Sequence, residues 1–178
     1  MRRKYSMREI SVCGYFGASA MLLPVFFHLV QLGSVFMPMY IPLLALPFFV
    51  SPMPAVITAL IVPVLSGLLT GMPPFFPPVA FMMSIELGLS AGIIGLVLHF
   101  KKDTSPFWIL LPVLITGRFL YTGMVWGFSK VMVLPAGFLS GVSFFSGWPG
   151  VILMLVTIPA LVSFSHKIVG NRNTLDGK

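Results

Sequence analysis

From Val79 to Phe100 the chain is apolar for the full length of a bilayer crossing, and Lys101, Lys102 and Asp103 then stop it abruptly. A helix needs roughly 20 mostly apolar residues to span a membrane. The same kind of run recurs at Ile10 to Val30, at Phe107 to Phe128 and at Gly147 to Ser165. Such runs leave little surface that water would tolerate. Of the 178 residues 57% are hydrophobic and 8% are charged, against about 25% charged in an ordinary soluble domain. Eleven Lys+Arg and four Asp+Glu cannot coat a soluble fold of this size. A cytosolic enzyme, a nucleic-acid-binding module and a disordered tail are excluded on that ground, in spite of the net charge of +7. Cys13 is the only cysteine, so a disulfide framework within the chain is excluded too. The sequence predicts one all-α integral membrane domain over residues 1–178.

The number of crossings turns on residues 40–70. Tyr40 to Val50 is apolar but short, Ser51-Pro52-Met53-Pro54 is a breaker, and Ala55 to Thr70 is apolar again. Cytoplasmic loops carry an excess of Lys and Arg, which separates the two readings. With two helices here, Arg2, Arg3, Lys4, Arg8, Lys101, Lys102, Lys167, Arg172 and Lys178 all face the cytoplasm, Lys130 alone lies outside, and Arg118 stays within the membrane. With one long helix the bias vanishes. The expectation is therefore a six-transmembrane-helix bundle with both termini cytoplasmic, its spans near 10–30, 40–51, 54–70, 79–100, 107–128 and 147–165. The basic start followed by an apolar stretch reads as a first transmembrane helix rather than a cleaved signal, because no small-residue cleavage site follows it. Orientation and lipid headgroups account for the basic ends, with no need for a nucleic acid.

Sixteen prolines are many for helices in lipid. Pro24, Pro42, Pro47, Pro63, Pro112 and Pro159 fall in or near the apolar runs, and each removes a backbone donor. Irregular backbone at membrane depth survives where it is buried in protein or lines a cavity. Segments 31–39, 71–78 and 129–146 are apolar yet irregular and lie on the outer side of the expected topology. They are suited to fold over a ligand pocket.

Two charges stand alone at mid-depth, Glu86 and Arg118. An ionisable residue there is costly and faces the bundle interior, either paired or at a substrate site. One reading is a Glu86–Arg118 ion pair that only locks two helices together. The other is contact with a polar substrate group. Helical spacing puts Arg118, Tyr121, Thr122 and Val125 on one face with Trp126 beside it, and Met82 and Ser90 on the face of Glu86. His28 and Gln31 at the outer end of the first span, with Tyr40 at the start of the second, are placed to line the mouth. Cys13/Gly17 and Gly14/Ala18 form small-xxx-small pairs that let another helix approach closely.

Signatures of chemistry are missing from the sequence. There is no P-loop, so ATP hydrolysis by that route falls to another protein. His28, His99 and His166 are far apart, and no Cys/His cluster suggests a metal. Ser66 and Ser84 have no base at helical spacing.

Several segments together resemble the substrate-binding S component of energy-coupling factor (ECF) vitamin transporters. They are Arg2-Arg3-Lys4, then Cys13-Gly14-Tyr15-Phe16-Gly17-Ala18-Ser19-Ala20, then Phe36-Met37-Pro38-Met39-Tyr40-Ile41-Pro42-Leu43-Leu44. Ser66-Gly67-Leu68-Leu69-Thr70-Gly71-Met72-Pro73-Pro74, followed by Glu86, completes the likeness. The resemblance implies a multi-pass protein of the bacterial plasma membrane that is not itself an enzyme and carries no cofactor. It would bind a vitamin or precursor from outside, pantothenate or a cobalamin precursor being suited to these residues. It would then dock on a transmembrane coupling subunit driven by two ATPase subunits. Cys13, Gly14, Gly17 and Ala18 occupy the docking position, although the family's Ala-xxx-Ala pair is not present as such. Ligand is expected to close the loops at 31–39 and 71–78. Two readings from other classes compete: an intramembrane enzyme acting on a lipid or peptide, and a membrane scaffold without a small ligand.

Overall fold

The computed structural model describes residues 6–29, 36–101, 104–131 and 147–175, and these are all helix, turn or loop with no strand. Five helices are long and apolar enough to cross a membrane: α1 (Met7–Leu29), α3 (Pro52–Thr70), α4 (Val79–Phe100), α5 (Pro106–Val131) and α6 (Trp148–Leu175, apolar through Ser165). A short α2 (Tyr40–Ala45) runs into a 3-10 turn (Leu46–Phe48). The chain is a multi-pass helical membrane protein.

Residues 40–51, expected as a short second crossing, take a different form. Leu43, Leu44, Ala45 and Leu46 are all 1% exposed or less. An apolar run of this length suits a buried core segment better than a span, and one apolar on every side must be covered on every side. Pro47 has no N–H to give to Leu43, so the backbone tightens into the 3-10 turn there. α2 contacts α1, α3, α4 and α6. The 40–51 segment ends where Ser51 gives both its backbone N–H (2.9 Å) and its hydroxyl to Glu9 Oε1. The Ser51-Pro52 turn thus sits beside the start of α1.

α1 starts at Met7, ahead of the apolar run, because Ser6-Met7-Arg8-Glu9 is a capping box. Ser6 Oγ accepts from the Arg8 N–H (3.3 Å), and Glu9 Oε2 accepts from the Ser6 N–H (3.1 Å). α3 likewise starts at Pro52 rather than Ala55, since Pro52 and Pro54 lie in the first turn, where a missing donor costs little. Pro24, Pro63, Pro112 and Pro159 are carried inside continuous helices. At the far end α6 stays helical through Leu175, past the expected limit at 165.

α3 and α4 form the most extensive pairing. Their close approach is set by Gly88 opposite Leu60, Gly92 opposite Val56 and Gly95 opposite Pro52. A Cβ on Gly95 would lie 2.8 Å from Pro52 Cβ and 3.0 Å from its Cα. Ser84 Oγ donates to the Leu60 carbonyl at 2.7 Å on the same seam. The connection at 71–78 is held against the end of α3. Gly71 ends α3 in the left-handed region (φ 73°), Ser66 Oγ donates to the Met72 carbonyl at 2.6 Å, and a Cβ on Gly67 would meet the Pro73 carbonyl at 2.7 Å.

Candidate functional site

The α4–α5 hairpin brings Glu86 and Arg118 to the same level of the bundle, both turned inward at 3% and 9% exposure. Gly117 makes the placement of Glu86 workable. Glu86 Oε1 lies where a Cβ on Gly117 would be only 2.9 Å away, so the carboxylate rests against bare α5 backbone. Its other oxygen accepts a 2.5 Å hydrogen bond from the Tyr40 hydroxyl. α2 is thereby tied to α4 through Glu86. This explains why the chain returns to the core at residue 40.

Arg118 is poorly matched. Among the described residues no ion pair joins it to Glu86, and its Nε is buried without a hydrogen-bond partner. Among the described residues Nη1 donates only to the Met37 thioether, at 3.4 Å, and sulfur of this kind is a weak acceptor. A guanidinium has five donors and no way to shed its charge in a protein. Removing an ion from water costs several kcal/mol even after relaxation, so the demand for acceptors here is large, and the described residues do not meet it at Nε. Met37 adopts a left-handed backbone conformation (φ 46°), unusual for a non-glycine residue. Gly147, just before α6, closes the other side: a Cβ there would run into Met37 Cε and the Arg118 guanidinium. Among the described residues, the Met37 thioether and the bare Gly147 backbone lie against the Arg118 guanidinium, and the thioether is a weak acceptor.

The other residues singled out by the sequence divide around this cluster. Tyr121 is half-buried and within electrostatic reach of Glu86, Arg118 and Tyr40. It packs beside Met82 and Val125. Thr122 is half-buried, with its hydroxyl donating to the Arg118 carbonyl at 2.8 Å. Trp126 points away at 67% exposure, and its ring lies 5.4 Å from Lys130 Nζ. His28 is exposed near the end of α1, and Gln31 lies outside the described residues, as does segment 132–146. Among the described residues no group of three His, Cys, Asp or Glu side chains is placed to hold a metal ion.

The small residues of α1 split between two faces. A Cβ on Gly17 would lie 3.3 Å from Val62 Cγ2 and 3.7 Å from Thr58 Cγ2, and Cys13 packs near Leu46, Val50 and Ala55. Gly14 and Ala18 are exposed, and a Cβ on Gly14 would touch nothing within 4 Å.

No protein-family model, curated protein or solved structure matches this chain. Its functional reading rests on the geometry above. Met37, Gly117 and Gly147 complete the cluster and were not singled out by sequence reasoning. Gly117 carried one local signal, a glycine directly before a charge buried in a membrane helix. Met37 and Gly147 carried none, because only the fold brings them to Arg118.

Proposed function

We propose that this protein is the substrate-binding membrane subunit of an ECF-type importer. In this reading the chain crosses the membrane six times, with both ends in the cytoplasm, and residues 40–51, largely buried among the other helices, make the short second crossing. The basic residues at the termini and at 101–102 favour that orientation, and the Ser51–Glu9 contact supports a return of the chain to the side on which α1 begins. The single observation that carries the reading is the buried Arg118 guanidinium, whose Nε has no hydrogen-bond partner and whose one hydrogen bond among the described residues is to the Met37 thioether. A planar oxyanion accepts two parallel hydrogen bonds from such a group. The substrate is then a small vitamin-like acid such as pantothenate, which fits Arg118 better than a neutral flat ring does. Glu86 and Tyr40 shape the remainder of the site. Gly14 and Ala18 on the free face of α1 receive the transmembrane coupling subunit, and two ATPase subunits drive delivery. The test is a ligand screen: vitamins and their precursors are added to the detergent-purified protein, and thermal stability is measured. A ligand that binds the folded state alone must raise that stability. A carboxylated vitamin that stabilises the protein, and does so less in Arg118→Ala, supports the reading. A uniformly flat screen counts against it.

A further inference from the structure

A second feature lies apart from the charged cluster and does not depend on the importer reading. Where α4 ends and α5 begins, a groove of about 290 Å³ opens sideways between the two helices. Ile109 and Val113 are buried at its floor, and Ile93, Trp108 and Pro112 form exposed walls. Lys101 and Thr104 stand at its mouth, at the polar turn where the helices leave the apolar layer. The groove is thus apolar along the depth of the membrane and basic at one end. That polarity is the polarity of a phospholipid. Basic pockets between membrane helices on the cytoplasmic side bind anionic headgroups, and Trp is favoured at the headgroup level.

We infer that this groove is a binding site for one anionic phospholipid, with an acyl chain against Ile109 and Val113 and the headgroup phosphate at Lys101 and Thr104. A zwitterionic lipid would fill the apolar part equally well. The preference for net negative charge comes from Lys101, and one lysine near a membrane surface favours an anionic lipid about fivefold.

Trp108 on the groove wall provides a local readout. In full-length protein carrying Trp126→Phe and Trp148→Phe, Trp108 is the one remaining tryptophan. The protein is reconstituted in phosphatidylcholine bilayers containing a small, equal mole fraction of either dibrominated phosphatidylglycerol or dibrominated phosphatidylcholine. Brominated phosphatidylglycerol should quench Trp108 with about fivefold higher apparent affinity. Lys101→Gln should remove that preference, Lys101→Arg should keep it, and Lys167→Gln, an exposed basic residue outside the groove, should leave it intact. Glycerol 3-phosphate at millimolar concentration should not relieve the quenching. Equal quenching by both lipids would overturn the proposal. So would a preference that survives Lys101→Gln, or relief by the soluble headgroup.

Discussion

Replacing Tyr40 by Phe removes one atom and tests how the core segment is tied to the charged level of the bundle. Tyr40 is 6% exposed, and its hydroxyl gives Glu86 Oε2 a 2.5 Å hydrogen bond. Phe fills the same space, so the loss is of the bond and not of packing. A hydrogen bond to a charged group contributes about 1.5–3 kcal/mol. Tyr40→Phe should therefore destabilise the protein by about 2 kcal/mol, or roughly 30-fold in the folded-to-unfolded ratio. With Glu86→Gln already in place, the Tyr40 hydroxyl faces a neutral amide, and its removal should cost about 1 kcal/mol or less. The two changes are then non-additive by at least about 1 kcal/mol. Reversible unfolding in mixed detergent micelles, for the wild type, both single variants and the double variant, measures that coupling. If the single effects sum to the double within about 0.5 kcal/mol, as independent sites do, the Tyr40–Glu86 bond is not what anchors α2 and the reasoning fails.

Other outcomes follow from the packing. Gly95→Ala sets a Cβ against Pro52 Cβ and Cα, which cannot swing aside, and should cost about 1–3 kcal/mol of stability. Gly92→Ala, with Val56 at 3.4 Å, should be close to neutral in the same unfolding assay. Gly14→Leu enters open space, so it should leave thermal stability and ligand binding unchanged while lowering uptake in cells that supply the coupling module. Loss of binding in Gly14→Leu would show that the free face of α1 serves the site and not a partner.

Much of the architecture was legible because apolar run length and charge position are local properties. The runs at 79–100 and 107–128 match α4 and α5 to within a few residues. Residues 40–51 were harder. Their 12 residues are apolar on every side, and periodicity cannot separate a short crossing from a core segment. Helix starts were missed where local capping decides them, as at Ser6-x-x-Glu9 and Pro52. At the candidate site Glu86 and Arg118 face inward, as charge at mid-depth must, whereas Tyr40, expected at the mouth with His28 and Gln31, reaches Glu86 instead. Of the two readings of these charges, a direct Glu86–Arg118 ion pair is not formed among the described residues; Glu86 instead contacts Tyr40 and Arg118 contacts Met37. A hydrogen-bond partner chosen across distant segments depends on side-chain reach in three dimensions, which one-dimensional spacing does not encode.

The central claim is that Arg118 awaits an acidic ligand. Calorimetric titration of the detergent-solubilised protein with the carboxylated vitamin that most raises its thermal stability tests it most directly. The account predicts saturable one-to-one binding tighter than micromolar, weakened at least tenfold, about 1.4 kcal/mol, in Arg118→Ala. Absence of any such ligand, or affinity unchanged in a folded Arg118→Ala protein, would contradict it.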